Sequence, residues 1–157
     1  MSKASFDTLE IGEAPPPLVC GPLTRTDFVR YAGASHDYNP NHHDELYARA
    51  SGNKTVFGMG MLAGGYCARQ LTDWLGIGAL TRLRIRFALR FWPGDVLTCT
   101  PRVTAQRGDG SVRVAIHPEV SASVCHRWLP EPASDHSTAP SAGSSRSMSR
   151  ISAVAGS

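Results

Sequence analysis

Asp37 and His42 stand five residues apart in the stretch Ala34-Ser35-His36-Asp37-Tyr38-Asn39-Pro40-Asn41-His42-His43-Asp44. A carboxylate and an imidazole that converge on one water make an acid/base pair, provided both reach the proton that moves. A continuous helix would leave that offset off a common face. Pro40 prevents one. It lacks a backbone donor and pushes Asn39 out of the α region, so the chain turns between the two groups. Asp37, Asn39 and Asn41 are of the types that bond their own backbone in turns. The same residues also suit a plain turn, with Asp37 as its cap and His42 at the surface.

His36, His43 and Asp44 flank His42 and raise the question of a metal. A three-ligand site needs those groups to converge, and adjacent His42 and His43 tend to point apart. No metal is expected.

The elements that must hold this stretch follow from pattern. Residues 1–17 end in Pro15-Pro16-Pro17 and read as a flexible lead-in. Leu18 to Leu23 suits a short strand. Thr24 can cap a helix with Asp27 in its first turn and Phe28, Tyr31 and Ala32 on its inner side, ending near Gly33. A short helix is predicted over Glu45 to Ala50, then a turn at Ser51-Gly52-Asn53-Lys54. Gly58 to Leu75 reads as an apolar helix that carries Gly60, Gly64 and Gly65 and stops at Gly76 and Gly78. Leu83, Ile85, Phe87, Leu89 and Phe91 then alternate with Arg82, Arg84, Arg86, Ala88 and Arg90, a period of two that predicts a half-buried strand. Pro93-Gly94-Asp95 turns into a strand from Val96 to Gln106. A hairpin at Gly108-Asp109-Gly110 leads to another over Ser111 to His117. One helix followed by antiparallel strands is an α+β arrangement.

Val120 to Trp128 suits a last strand. From 129 to 157 Ser, Pro and Ala dominate, the composition of a disordered tail. The 157 residues fit one domain. A net charge of +3 is too small to argue for nucleic acid. No apolar run approaches the roughly 20 residues of a membrane span. Met1 to Glu10 lacks the hydrophobic core of a signal peptide, which gives a cytoplasmic expectation. Cys20, Cys67, Cys99 and Cys125 are widely spaced, so reduced thiols are expected.

Asp37-x-Asn39-Pro40-x-His42, with Asp44, Ala48 and Ala50 beyond it, resembles the signature of the MaoC-like (R)-specific enoyl-CoA hydratases. The likeness continues through Phe57-Gly58-Met59-Gly60-Met61-Leu62 and reaches Trp92-Pro93-Gly94-Asp95-Val96-Leu97, covering roughly Leu23 to Val114. Thr72-Asp73-Trp74-Leu75-Gly76 is most similar to the small hydratase subunits of actinobacterial steroid side-chain breakdown.

The resemblance implies a single hot-dog domain over 18–128, an antiparallel sheet wrapped around a central helix. It implies hydration of a trans-2-enoyl-CoA, or of the acyl carrier protein thioester, to the (R)-3-hydroxyacyl product, or the reverse dehydration. Asp37 and His42 would be catalytic and no cofactor would be needed. Gly60 would offer its backbone N–H to the thioester carbonyl, and Phe57, Met59 and Asn39 would lie close to substrate. The Arg82, Arg84, Arg86, Arg90 ladder has two readings: Arg84 and Arg86 on coenzyme A phosphates, or a solvated strand face. Met59 stands where many members carry His, and Gly65 near a Ser found in some. Members also normally end in two full strands, unlike this C-terminus. A homodimer, or a heteromer with another hot-dog subunit, is implied. The alternatives are a non-catalytic or partner-dependent subunit and a hot-dog acyl-CoA thioesterase.

Overall fold

The computed structural model describes residues 8–122, 146–147 and 149–155. In chain order these form β1 (Leu18–Cys20), α1 (Arg25–Ser35), a 3-10 turn (Pro40–His42), α2 (Glu45–Ala50), α3 (Gly60–Leu75), β2 (Leu80–Phe87), β3 (Asp95–Gln106), β4 (Val112–Ala122), β5 (Arg146–Ser147) and β6 (Ser149–Ala155). The sheet order is β1-β3-β4-β6-β2, with the two-residue β5 also on β4. All pairs are antiparallel.

α3 packs along one face of this sheet because its apolar side chains meet those of the strands turn by turn. Leu62 and Ala63 cluster with Leu97 and Phe91. One turn on, Cys67 packs with Cys99 and Ile116. Leu71 and Leu75 close the far end against Val103, Val112, Val114 and Ala153. The helix therefore runs in the same sense as β3, and its N-terminus lies at the end of the sheet where β3 begins. Gly76, at φ 105°, ends it, in a backbone state open to glycine at no steric cost.

Two element boundaries change. α1 runs through Gly33 to Ser35. β2 spans Leu80–Phe87 rather than reaching Phe91. Its ladder partner explains the early stop, since Phe87 pairs with Ser149, the first residue of β6. Past that point Phe91 leaves the sheet pattern and meets Phe28 edge-on at 5.7 Å.

The lead-in is not loose from Leu9 onward. Leu9 is buried in the core. Gly12 N–H donates to Val103 O, and Val103 N–H donates to Glu13 O, both at 2.9 Å. Gln70 Nε2 donates to Pro16 O at 2.6 Å, and Gln106 Nε2 donates to Leu9 O. Residues 1–7 lie outside the described residues.

The largest correction concerns the tail. Ser149–Ala155 is not disordered but forms β6, bonded to β4 on one side and β2 on the other. A strand with a neighbour on each side satisfies its backbone there, so a Ser- and Ala-rich sequence suffices. The expected strand ending at Trp128 and the stretch 129–145 lie largely outside the described residues, with β4 running to Ala122.

Candidate active site

The turn after α1 is built by its own polar side chains. His36 adopts a left-handed conformation, φ 60°, and reverses the chain. Asp37 N–H donates to Ser35 Oγ at 3.3 Å, and Asn39 N–H to Asp37 Oδ1 at 3.3 Å. Asn41 then donates to Asn39 Oδ1 from its N–H at 3.0 Å and its Nδ2 at 3.1 Å. Each contact closes a turn two residues long. The Asn39 amide oxygen is occupied in bracing the turn.

Pro40–His42 is one turn of 3-10 helix, which brings the His42 ring back toward Asp37. His42 is clasped against Phe57: Phe57 N–H donates to Asn41 O at 3.2 Å, and His42 Nδ1 lies 2.7 Å from Phe57 O. A carbonyl oxygen only accepts, so Nδ1 carries the hydrogen, and the neutral ring presents a lone pair at Nε2. That Nε2 is 3.7 Å from Asp37 Oδ2. The His42 side chain is 8% exposed and that of Asp37 45%. A buried imidazole thus faces a carboxylate that opens to solvent.

His43 points elsewhere, with Nε2 3.3 Å from Tyr38 O. Among the described residues no group of three or more His, Cys, Asp or Glu is placed to hold a metal ion.

Aromatic and basic side chains wall the pair. Phe57 meets the His42 ring edge-on at 4.9 Å and Trp92 at 6.0 Å. The Arg90 guanidinium sits 5.0 Å over Phe57, and Lys54 Nζ lies 4.5 Å over Trp92. Such cation–π contacts keep positive charge beside the wall. Sequence reasoning did not bring Lys54, Arg90 and Trp92 together. Arg90 was legible only as one more member of an arginine ladder. Tyr31, on the inner side of α1, also senses the site: burial first, and then the Asp37 charge, push its hydroxyl pKa up.

Glu45 ties the surrounding elements together. Its carboxylate accepts from Arg25 Nη2, Arg49 Nε and Thr55 Oγ1, each at 2.7 Å. Burial opposes ionisation there. The hydrogen bonds from Arg49, Thr55 and Arg25, with the Arg25 charge, outweigh it and hold the pKa at about 2. The α1–α2 region and the segment leading to Phe57 are fastened by one acid.

The N-terminus of α3 follows Phe57 directly. α1 starts with a capping box between Thr24 and Asp27, and α2 with an Asp44 cap. α3 starts at Gly60 with no side-chain cap. Its first N–H groups and the positive end of its dipole are therefore left without a side-chain acceptor.

The MaoC like domain matches residues 8–123 of this chain. The chain belongs to that family. A curated relative, the 3-oxo-4,17-pregnadiene-20-carboxyl-CoA hydratase beta subunit of Mycobacterium tuberculosis, is 33% identical over 92 residues, 58% of this chain and 70% of the relative. Among solved structures, the (R)-hydratase PhaJ1 of Pseudomonas aeruginosa superposes with a TM-score of 0.73 at 20% identity, covering 97% of this chain and 85% of that one. The ChsH1-ChsH2 complex of M. tuberculosis gives a TM-score of 0.70 at 21% identity, covering 92% and 95%. The single α+β hot-dog domain expected from the sequence is the fold observed.

Within the MaoC-like frame, the remaining candidates divide. Phe57 and Gly60 lie beside the His42 clasp, as backbone anchor and as the start of α3. Met59 is 1% exposed and belongs to the core cluster with Phe28, Phe91 and Leu97. Gly65 is exposed, and a Cβ there would have no heavy atom within 4 Å. Arg84 and Arg86 project from the sheet face turned away from α3, because the alternate residues Leu83 and Ile85 pack inward. Among the described residues no contact joins either arginine to Asp37 or His42. No helix among the described residues is long and apolar enough to cross a membrane.

Proposed function

We propose that this chain adds water across a trans-2-enoyl thioester, or runs the reverse dehydration, with Asp37 and His42 as its acid/base pair. The observation that carries the reading is the 3.7 Å separation of His42 Nε2 and Asp37 Oδ2, with the opposite ring nitrogen fixed on Phe57 O. That gap exceeds a direct hydrogen bond and suits one water touching both groups. The pair takes a proton from this water as its oxygen bonds to C3, and a proton is returned to C2. The step is redox-neutral and consumes only that water. The thioester oxygen gains negative charge meanwhile, and the uncapped start of α3 at Gly60 is suited to receive it. Coenzyme A and acyl carrier protein thioesters both fit this chemistry.

A second reading is supported by the curated relative, which is named as a beta subunit. In this chain β2 ends the described sheet order, and Met61 and Phe87 are exposed beside the α3 N-terminus. A second hot-dog chain placed there would complete the wall of the site.

The test is loss of the conjugated enoyl-thioester absorbance with crotonyl-CoA and with a bulky enoyl-CoA. Wild type, Asp37→Asn and His42→Ala are compared. Loss with wild type only, and no thiol released, supports the hydratase. Release of thiol would replace it with a thioesterase. A flat trace from all three, restored by adding a second hot-dog chain, would favour the partner-dependent subunit.

A further inference from the structure

Arg82, Arg84, Arg107, Arg113 and Val154 line a cleft of about 240 Å³ on the outer face of the sheet. We propose that this cleft binds the phosphates of a small organic di- or triphosphate, at a place separate from the Asp37–His42 pair. The inference stands apart from the hydratase reading.

The cleft is assembled from distant parts of the chain. Val154 on β6 is the register partner of Arg82 on β2 and of Arg113 on β4, so one apolar residue separates two arginines. Arg84 is two residues along the same face of β2. Arg107 arrives from the β3–β4 hairpin.

Two bulges shape the floor. The register shifts between Leu80 and Arg82, and again between Val103 and Ala105. The extra residue is a threonine each time. Thr81 Oγ1 donates to Val154 O at 2.9 Å, and Thr104 Oγ1 donates to Arg113 O at 3.1 Å. Both hydroxyls therefore hold the backbone of cleft-lining residues. Bulges re-aim side chains at such places.

The cleft arginines differ in charge pairing from Arg25, Arg30, Arg49 and Arg69. Arg25 and Arg49 share Glu45, Arg30 has Asp27 and Arg69 has Asp73. Arg102 donates to Gly12 O. Among the described residues none of the four cleft arginines is in an ion pair. The hairpin acid, Asp109, accepts from Ser111 N–H and Oγ, and feels the Arg107 charge only as a lesser influence. Like charges held together cost stability that a multivalent anion would recover. Guanidinium forks match phosphate oxygens two at a time, and a cleft this small takes a compact polyanion where a broad flat surface would suit a macromolecule.

The cleft also lies toward the far end of the sheet. Phe87, on β2, packs at the start of α3. Arg82 is five residues back along the strand, roughly 17 Å at the usual rise.

The experiment is calorimetric titration of inorganic pyrophosphate, and then ADP, into the full chain at low salt. Wild type is compared with Arg84→Gln/Arg113→Gln, with Arg84→Lys/Arg113→Lys, with Arg30→Gln as a surface control, and with Asp37→Asn. Binding by wild type, Arg30→Gln and Asp37→Asn, weakened roughly tenfold or more in the double Gln variant and less in the Lys variant, supports the site. Absence of binding, or equal weakening in Arg30→Gln, overturns it. Because Asp37→Asn is expected to bind normally, failure of the hydratase assay would leave this result standing.

Discussion

The ring of Phe87, the last residue of β2, lies against Gly60, the first residue of α3: a Cβ on Gly60 would sit 2.8 Å from two of its ring carbons. Phe87 is also half exposed. It covers the helix start from the solvent side. Phe87→Ala should leave melting nearly unchanged and raise turnover of a bulky enoyl thioester relative to crotonyl-CoA by roughly three- to tenfold. An unchanged ratio would remove Phe87 from the acyl path.

Asp37 and His42 should separate in how their loss is felt. Asp37→Asn keeps a side chain able to accept from Asn39 N–H, so turnover should fall by roughly 10²–10⁴ with the melting temperature held. His42→Ala should lose activity and also stability, about 1–3 kcal/mol, because Phe57 O loses its partner in a partly buried place. Equal melting of the two variants would contradict the clasp.

Two glycines should respond in opposite directions. A Cβ on Gly58 would lie 1.8 Å from the ring of Phe91, which is fully buried and has nowhere to move. Gly58→Ala should cost about 3 kcal/mol in denaturant unfolding. Gly65 lies mid-helix with open space around it, so Gly65→Ala should stabilise by up to about 1 kcal/mol.

Glu45 sets a pH window. Its folded pKa is held at about 2, below the ordinary value of 4.5. The ionised form is therefore favoured in the folded state, and the stabilisation is complete above about 4.5. It is lost as pH falls from there through about 2. Glu45→Gln should lower stability at pH 7 by about 1–2 kcal/mol, the partly exposed arginines being discounted for solvent screening. It should also flatten the acid limb of a stability-versus-pH curve. A parallel downward shift at every pH would place the effect elsewhere.

Cys67 and Cys99 meet in the core with Sγ atoms 3.5 Å apart. The hydrogen bond to Cys99 and burial push the Cys67 thiol far up, so its thiolate is not available to an electrophile. Cys20 is only partly buried. Alkylation followed by mass spectrometry should label Cys20 in the native protein, and Cys67 and Cys99 only after denaturation. Native labelling of Cys67 would show that the α3–β3 contact opens.

The sequence made the site more legible than the sheet. The Pro40 break, the Asx-type turns at Asp37 and Asn39 and the Glu45–Ala50 helix all follow from local chemistry, and local chemistry shaped them. The Phe57 clasp was hidden, since a backbone carbonyl carries no sequence signal. The burial of Met59 was hidden because its type says only that it is apolar, while packing with the cluster of Phe28 and Phe91 decides where it lies. The β2 boundary depended on where β6 runs out, a long-range fact. β6 itself was missed because Ser and Ala averages resemble a tail. In this strand pairing on both flanks, rather than large side chains, secures the backbone.

The position of β6 also dictates an order of assembly. β3 and β4 are joined by a short hairpin and can pair as soon as both exist. β2 precedes them in the chain, yet its described sheet neighbour is β6, with Leu80 set opposite Ala155. Until that late segment arrives, β2 lacks this strand neighbour and has only α3 to rest its Leu83–Ile85 face on. Closing so long a loop is slow compared with hairpin formation. The arginine cleft, which combines β2, β4 and β6, is thus complete only once β6 has paired on both sides.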